Sequence, residues 1–542
     1  MQKIGFKPDW MTLLKLLLGG LLVRVIVAAF LFPGFDEAYY YLYSRHLSWS
    51  YFDHPPMVAI TTGLGWWFTG IISPLTIRIG ALALYLISLG LFFWTGQRLY
   101  SKRVGILAVA IATLIPLFTL GFGVLTSPDN SLIFFWTITL ALAAWEFFPS
   151  PGENQFIYKP SWKLCLFGLT IGLACLSKYH GFILGLCLLG FCLTSRRHFK
   201  ALKSPWLAIA LLMFLLTLFP LIYWNIQHDW ISFRFQLSMR FDNSSSSHFS
   251  LFQLLGYWII HIAYLFPAFG FPLWWVIIHE IRIQSIKSQK HESQQSPAIL
   301  NKDFYVTSLL LWLSLPIILG FTLLGGWKQI LPAWPAPGFW GITLLLAKHA
   351  DQWRGQHPRM IHRWLWGSGY LLLTLLTIAL LHLTLGTFQS DSKYAVWKLL
   401  PAARDPSIEL INVTQLNQRI AQSSFLMTAM EQASFVFTNE YYLGGYIAMA
   451  IHPSKDIPVT CFSQDPRGFA FWFNQADWLG KDAIYITLER FHSDADIINR
   501  YSSNFESFEY LTEVPLYRGG AQVESLHFYR THNFKEPYEY PY

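Results

Sequence analysis

Residues 36–57 read DEAYYYLYSRHLSWSYFDHPPM and follow at once on an apolar stretch, 13–32, long enough to cross a bilayer. They set two carboxylates side by side (Asp36, Glu37), a third next to an imidazole (Asp53, His54), a double proline (Pro55, Pro56) and a run of tyrosines. Carboxylates at a membrane boundary are costly unless they bind or react with something there. The stretch therefore reads as chemistry at a lipid surface. It sets the expectation for the rest of the chain, a bundle of membrane helices with its working loops on one side.

Composition agrees. The chain has 542 residues, 54% hydrophobic and only 13% charged, where soluble domains carry about 25% charged residues. Aromatics reach 18%, with 24 Trp, as interfacial belts require. The net charge of +8 follows from basic loops beside anionic lipid and calls for no nucleic acid. Four of the five cysteines (Cys165, Cys175, Cys187, Cys192) sit in apolar runs and Cys461 stands alone, so neither a disulfide framework nor a metal-binding spacing is present. The first apolar run is too long for a signal peptide and lacks a small-residue cleavage site, so it reads as a retained helix.

Helical spans are expected near 12–32, 75–95, 104–120, 130–148, 163–177, 180–194, 206–225, 252–278, 306–324, 329–347 and 364–386, about eleven to thirteen in all. The short stretch 57–72, rich in Gly and Trp, reads as interfacial or re-entrant. With the N-terminus in the cytoplasm, the inner loops gather about twenty Lys and Arg against about six outside. Asp36, Glu37, Asp53, His54, Asp129, Lys178, Arg240 and Lys328 then fall together at the outer side, although none of them decided the orientation. An odd span count puts the tail, 388–542, outside as well. That tail is polar enough to fold in water as an α/β or α+β domain, with a strand-to-helix passage at 435–451 and a short buried strand at 482–487. The expected division is 1–387 for the membrane domain and 388–542 for the soluble one.

Each cluster of polar residues has a plain reading beside a chemical one. Asp36 and Glu37 suit the positive end of a helix, and they also suit a general base or a metal ligand. The double proline forces extended geometry before it and so aims Asp53 and His54, a pair that suits a divalent metal or a phosphate. Ser127-Pro128-Asp129-Asn130 opens a helix, which supplies a second acid. Lys178, in Ser177-Lys178-Tyr179-His180, either snorkels or meets an anion. Arg234 and Arg240, among the aromatics of 224–241, read as an interfacial helix or as a phosphate clamp. Lys328 stands at an outer turn before the Trp- and Pro-rich 331–340.

In that order, DEAYY, YFDHPP, SPDN, LSKYHG and the late Trp/Pro-rich helix resemble the bacterial membrane glycosyltransferases of GT-C fold. These are related to protein O-mannosyltransferases and lipid A aminoarabinose transferases. The resemblance covers roughly residues 10–345 and implies a mainly α, GT-C type bundle with an outer soluble domain. It implies a sugar donor on a polyprenyl phosphate, undecaprenyl phosphate in bacteria. The acceptor would be lipid A or lipopolysaccharide, another glycan or a protein, at the outer (periplasmic) face of the inner membrane. It makes Asp36 the principal catalytic acid, Glu37 its partner and Asp129 the acid of the second loop. Lys178, with Tyr179 beside it, is the carrier-phosphate contact. His54, Arg78, Arg234, Arg240 and Lys328 line the substrate. Asp53, with Glu37, stands where some members hold a divalent metal ion (Mg, Mn or Zn). Two departures, His54 in place of a usual Lys and Leu237 in place of a His, point away from aminoarabinose and toward relatives that transfer other sugars, including uronic acids.

The resemblance fits direct displacement at the anomeric carbon, with inversion, and needs no nucleotide, consistent with the lack of a Gly-rich phosphate loop. The rival reading is a flippase or transporter of a lipid-linked sugar. That function favours internal repeats and charges near the membrane midplane, whereas the acids here gather at one face and no repeat is visible.

Overall fold

The computed structural model describes residues 9–149, 158–239, 248–293, 302–501 and 503–542. The helices α1 (Trp10–Phe30), α2 (Phe35–Arg45), α3 (Met57–Thr69), α4 (Ile79–Leu99), α5 (Lys102–Leu114), α6 (Pro128–Phe147), α7 (Leu164–Ser177), α8 (Gly181–Thr194) and α9 (Pro205–Gln227) build the first half. Then come the single turn α10 (Ile231–Arg234), α11 (Leu251–Tyr264), α12 (Pro267–Ser293), α13 (Lys302–Trp312), α14 (Leu315–Leu324), α15 (Ala336–Gln356) and α16 (Pro358–Leu385). Each of the eleven expected spans overlaps helix, but 329–347 is helical only from Ala336, and 306–324 is split between α13 and α14. Among the described residues, six helical segments are long and apolar enough to cross a bilayer, or seven if a bent pair counts as one.

That bent pair departs from the sequence expectation. The stretch 252–278 is not one rod: the chain bends by 118° between α11 and α12. Phe266 takes a left-handed φ of 67°, and Pro267, which lacks an N–H, opens the next helix. Hydropathy alone does not see such a break.

Local chemistry sets the helix starts. Asp9 accepts from the Thr12 amide at 2.8 Å, and Ser204 caps α9 with Pro205 behind it. The Asn130 side chain accepts from the Ser127 amide at 2.6 Å, so SPDN does start α6. The helices differ in what they face. In α6, 72% of the membrane-length window is buried, against 17% in α9 and α16. So α6 is a central helix, while most of α9 and α16 is left for lipid.

The tail folds as a five-stranded mixed sheet. Its strands are β1 (Phe435–Thr438), β2 (Val459–Cys461), β3 (Ala483–Leu488), β4 (Phe505–Arg518) and β5 (Ala521–Phe534), in the order β2-β1-β3-β5-β4. β1 pairs parallel with β2 and β3; β5 pairs antiparallel with β3 and β4. Around it lie α17 (Val413–Gln422), α18 (Ser424–Gln432), α19 (Tyr441–Ile451), α20 (Phe469–Trp472) and α21 (Glu489–His492). The expected passage at 435–451 is β1 running into α19, and 482–487 lies on the fully buried β3.

The tail is fused to the first loop rather than merely tethered. The tyrosines of α2 share one apolar core with α17, α19 and the sheet. Gly445 lets the two helices touch backbone to backbone: a Cβ there would lie 2.4 Å from the Ala38 carbonyl carbon. Two half-buried imidazoles sit in this seam. His46 stacks on Trp472 with centroids 5.0 Å apart, and His452 Nδ1 meets the Tyr41 hydroxyl at 2.9 Å.

Burial, with Arg45 nearby, pushes both imidazoles down to about 4 from the ordinary 6.5. In the unfolded chain they take up protons near 6.5, whereas in the folded chain they resist until about 4. Stability is therefore intact above 6.5 and is lost as pH falls toward 4. The unfolding temperature in detergent should fall over that window, and more gently in His452→Gln. Equal pH dependence of the two proteins would refute the assignment.

Candidate active site

The face where α2, the first loop and the tail meet encloses a cavity of about 380 Å³, lined by Asp36, Tyr40, Asp53, His54, Phe235, Gln464, Asp465, Arg467, Pro541 and Tyr542. Three parts of the chain far apart in sequence build it. Asp36, at the second position of α2, is exposed on its wall. The double proline ends the loop and opens α3, leaving Asp53 and His54 turned into the cavity. The tail supplies the opposite wall.

Asp53 is buried, at 2% exposure. It accepts a short hydrogen bond from the Tyr43 hydroxyl, and Arg467 reaches its other oxygen at 3.4 Å. Arg467 also bonds Asp465 at 3.3 Å and covers the Tyr441 ring at 3.7 Å. Burial pulls this guanidinium down, but Asp53, Tyr441 and Asp465 more than offset it and hold it above its ordinary value. Arg467 takes a left-handed φ of 48°, unusual for a residue with a Cβ, and the following Gly468 amide donates to the Tyr39 hydroxyl at 2.8 Å. Such strain is kept where the surroundings over-determine it. Burial, reinforced by the Asp36 and Asp53 charges, holds the Tyr40 phenol well above its usual range, so it stays a proton donor. His54 packs edge-on to Tyr40 at 5.7 Å.

The other expected residues divide into two pairs and a periphery. Glu37, 3% exposed, is held by Arg78 through Nε at 2.8 Å and a terminal nitrogen at 2.6 Å. The amides of Gly34 and Thr126 donate to the same carboxylate, each at 2.9 Å. Arg78, fully buried, spends its remaining donors on the carbonyls of Ala28, Leu31 and Phe32. Asp129 and Lys178 form the second pair, with Nζ 2.9 Å from both carboxylate oxygens. Tyr179 stacks edge-on with Phe233 at 5.4 Å, and Ser232 next to it donates to the Tyr51 carbonyl at 2.9 Å; these contacts tie the LSKY turn to the first loop. Arg234 is exposed at the end of α10, and Lys328 lies at the turn after α14; neither lines the cavity. Arg240 lies outside the described residues.

This arrangement does not suit a metal at Glu37 and Asp53. The lone pairs of Glu37 already face a guanidinium and two amides, and those of Asp53 face a phenol and a guanidinium. A cation there would displace another cation. Both carboxylates are built as partners of arginine. Sequence reading missed Arg467, Tyr43 and Gln464. Asp465-Pro466-Arg467-Gly468 looks like a surface turn, and nothing in it points to a loop some 400 residues earlier.

Comparison with known proteins adds to this geometry. Residues 53–224 match the profile of the dolichyl-phosphate-mannose-protein mannosyltransferase family. That range holds Asp53, Asp129 and Lys178 but not Asp36. No curated protein matches the sequence. Two solved structures are similar over nearly the whole chain. ArnT from Cupriavidus metallidurans in the apo state has a TM-score of 0.59 at 15% identity, covering 95% of this chain and 97% of its own. The same protein bound to undecaprenyl phosphate has a TM-score of 0.55 at 15% identity, covering 96% and 98%. With its helical bundle, its sheet-bearing tail and the likeness to both structures, the chain has the GT-C fold of the membrane glycosyltransferases.

Proposed function

We propose that the chain is an inverting glycosyltransferase that takes a sugar from a polyprenyl-phosphate carrier, undecaprenyl phosphate in a bacterium. The acceptor is lipid A or lipopolysaccharide, another glycan or a protein. The observation that carries this reading is the cavity in which an exposed carboxylate, Asp36, shares a wall-to-wall space with the cationic Arg467 and with His54. The bound carrier phosphate of one similar structure supports the donor class.

A polyprenyl-phosphate sugar brings its own leaving group. In the reaction proposed, the acceptor oxygen forms a bond to the anomeric carbon while the bond to the carrier phosphate breaks, and the acceptor proton passes to Asp36. The negative charge left on the phosphate needs fixed donors. Arg467, His54 and the Tyr40 hydroxyl face the cavity for that task. The Asp129–Lys178 pair is a further phosphate contact, reached by exchanging one anion for another on Nζ. Glu37 and Arg78 act as positioning residues that hold the start of α2 against the loop before α6. The reading places 1–387 in the bacterial inner membrane with the N-terminus in the cytoplasm, and puts the cavity and 388–542 in the periplasm.

The test uses purified protein with synthetic undecaprenyl-phosphate sugars and membrane extract. Label should move from the carrier to an extract component, leaving free undecaprenyl phosphate. Carrier movement across vesicles with no label transferred from any donor would overturn the proposal in favour of a flippase.

A further inference from the structure

On the far side of the tail sheet, two carboxylates and two imidazoles converge on one patch. Glu489 and His492 lie three residues apart on the single turn α21, and so share a face. Opposite them, Glu513 and His527 are direct cross-strand partners in β4 and β5, as are Tyr510 and Tyr529. A bulge between Tyr510 and Thr512 lets Tyr510 reach His527 on the same face as Glu513; bulges re-aim side chains in this way.

His527 is the centre of the patch. Its side chain is 4% exposed. Its Nε2 lies 2.6 Å from a Glu489 oxygen, and its Nδ1 is held by the Tyr510 hydroxyl at 3.2 Å. The His492 ring lies flat over it, centroids 3.8 Å apart and planes within 1°, and is pinned in turn through Nδ1 by the Tyr529 hydroxyl. One ligand-capable atom from each of Glu489, Glu513 and His527 lies within 4.8 Å of the others. Among the described residues neither carboxylate forms an ion pair with a lysine or arginine. Two like charges thus approach each other beside an imidazole whose second nitrogen is already oriented. An oriented ring nitrogen backed by a hydrogen-bonded partner is how metal-binding histidines are held.

We infer that Glu489, Glu513 and His527 bind a divalent transition-metal ion of the zinc class in the tail. An imidazole nitrogen with two carboxylates suits such an ion, and solvent would complete its coordination. His492 is not a ligand here, because its ring plane is parallel to that of His527 and the two cannot aim at one ion. The ion would fasten α21 to the β4–β5 hairpin. Glu489 also lines the groove of about 460 Å³ that runs past Phe35 and Tyr442. The fastened turn is therefore one rim of the groove that Phe35, at the start of α2, also lines.

The full chain in detergent, stripped with chelator, is titrated with Zn²⁺ and Co²⁺. Metal content, the Co²⁺ visible spectrum and the unfolding temperature are read for the intact chain, Glu513→Gln, His527→Gln and Asp53→Asn. About one ion should bind per chain, with a Co²⁺ spectrum that includes nitrogen ligation and a rise in unfolding temperature. Glu513→Gln, at an exposed side chain that folding does not need, should weaken uptake at least about tenfold, and Asp53→Asn should leave it unchanged. No uptake by the intact chain, unchanged uptake in Glu513→Gln, or loss in Asp53→Asn alone would overturn the inference.

Discussion

Asp36→Asn is expected to lower transfer by about 10²–10⁴-fold, the usual scale for losing a general base, with the fold intact. Asp36 sits at the exposed second position of α2. There the charge adds only about 0.3–1 kcal/mol through the helix dipole, so the unfolding temperature should barely move. The loss should fall on the chemical step. Donor affinity, read by displacement of a labelled polyprenyl phosphate, should stay within about threefold, a shift of under 1 kcal/mol. A further sign of base chemistry lies in the pH profile: the acid limb of the intact chain should vanish in Asp36→Asn. A variant that keeps most of its rate would show that the acceptor needs no deprotonation, as a phosphate acceptor would not, and Asp36 would lose the role of base. Arg467→Gln gives the contrasting pattern. Among the described residues it leaves the buried Asp53 carboxylate with only the Tyr43 hydroxyl, and donor affinity and rate should fall together.

That contrast follows what the sequence made legible. The lengths of the apolar runs placed the helices, and the SPDN signal placed the start of α6, which the Asn130 side chain caps. The strand-to-helix passage at 435–451 and the short apolar run at 482–487 placed β1, α19 and β3. Asp36, Asp53 and His54 do share a cavity, because the loop after α2 runs back along that helix, past Tyr43 and Tyr40, toward its first turn. What stayed hidden is the nonlocal part. The break at Phe266 depends on backbone angles that a run of apolar residues does not encode. The long β4–β5 hairpin has mixed burial along its edge, so its pattern does not declare a strand. Arg467 enters the site through contacts 414 residues long in sequence. Charge type alone told nothing about which acid the buried guanidinium of Arg78 holds. Glu37 and Asp36 are neighbours on one helix, yet one faces a guanidinium and the other faces the cavity. The 100° step between adjacent helical positions decides that.

Arg78→Met separates these two fates. If Arg78 served the substrate, its loss would spare the fold and weaken donor binding. The structure instead gives it a buried carboxylate and three carbonyls, none of which can turn to water. Removing the guanidinium strands Glu37 as a buried charge, and breaking one side of such a pair costs about 3–5 kcal/mol. That is comparable to a whole domain's margin of roughly 5–15 kcal/mol. The variant should therefore purify in low yield and unfold far below the intact chain, before donor binding is even asked about. Glu37→Gln on the same background should restore part of the loss, since the buried charge is gone and the amide oxygen can still accept from one of the Thr126 and Gly34 amides, which bond different oxygens of the carboxylate. Rescue by that second change is what a substrate-binding arginine would not show. A well-folded Arg78→Met protein with weakened donor affinity would return Arg78 to the substrate and leave the start of α2 without its proposed anchor.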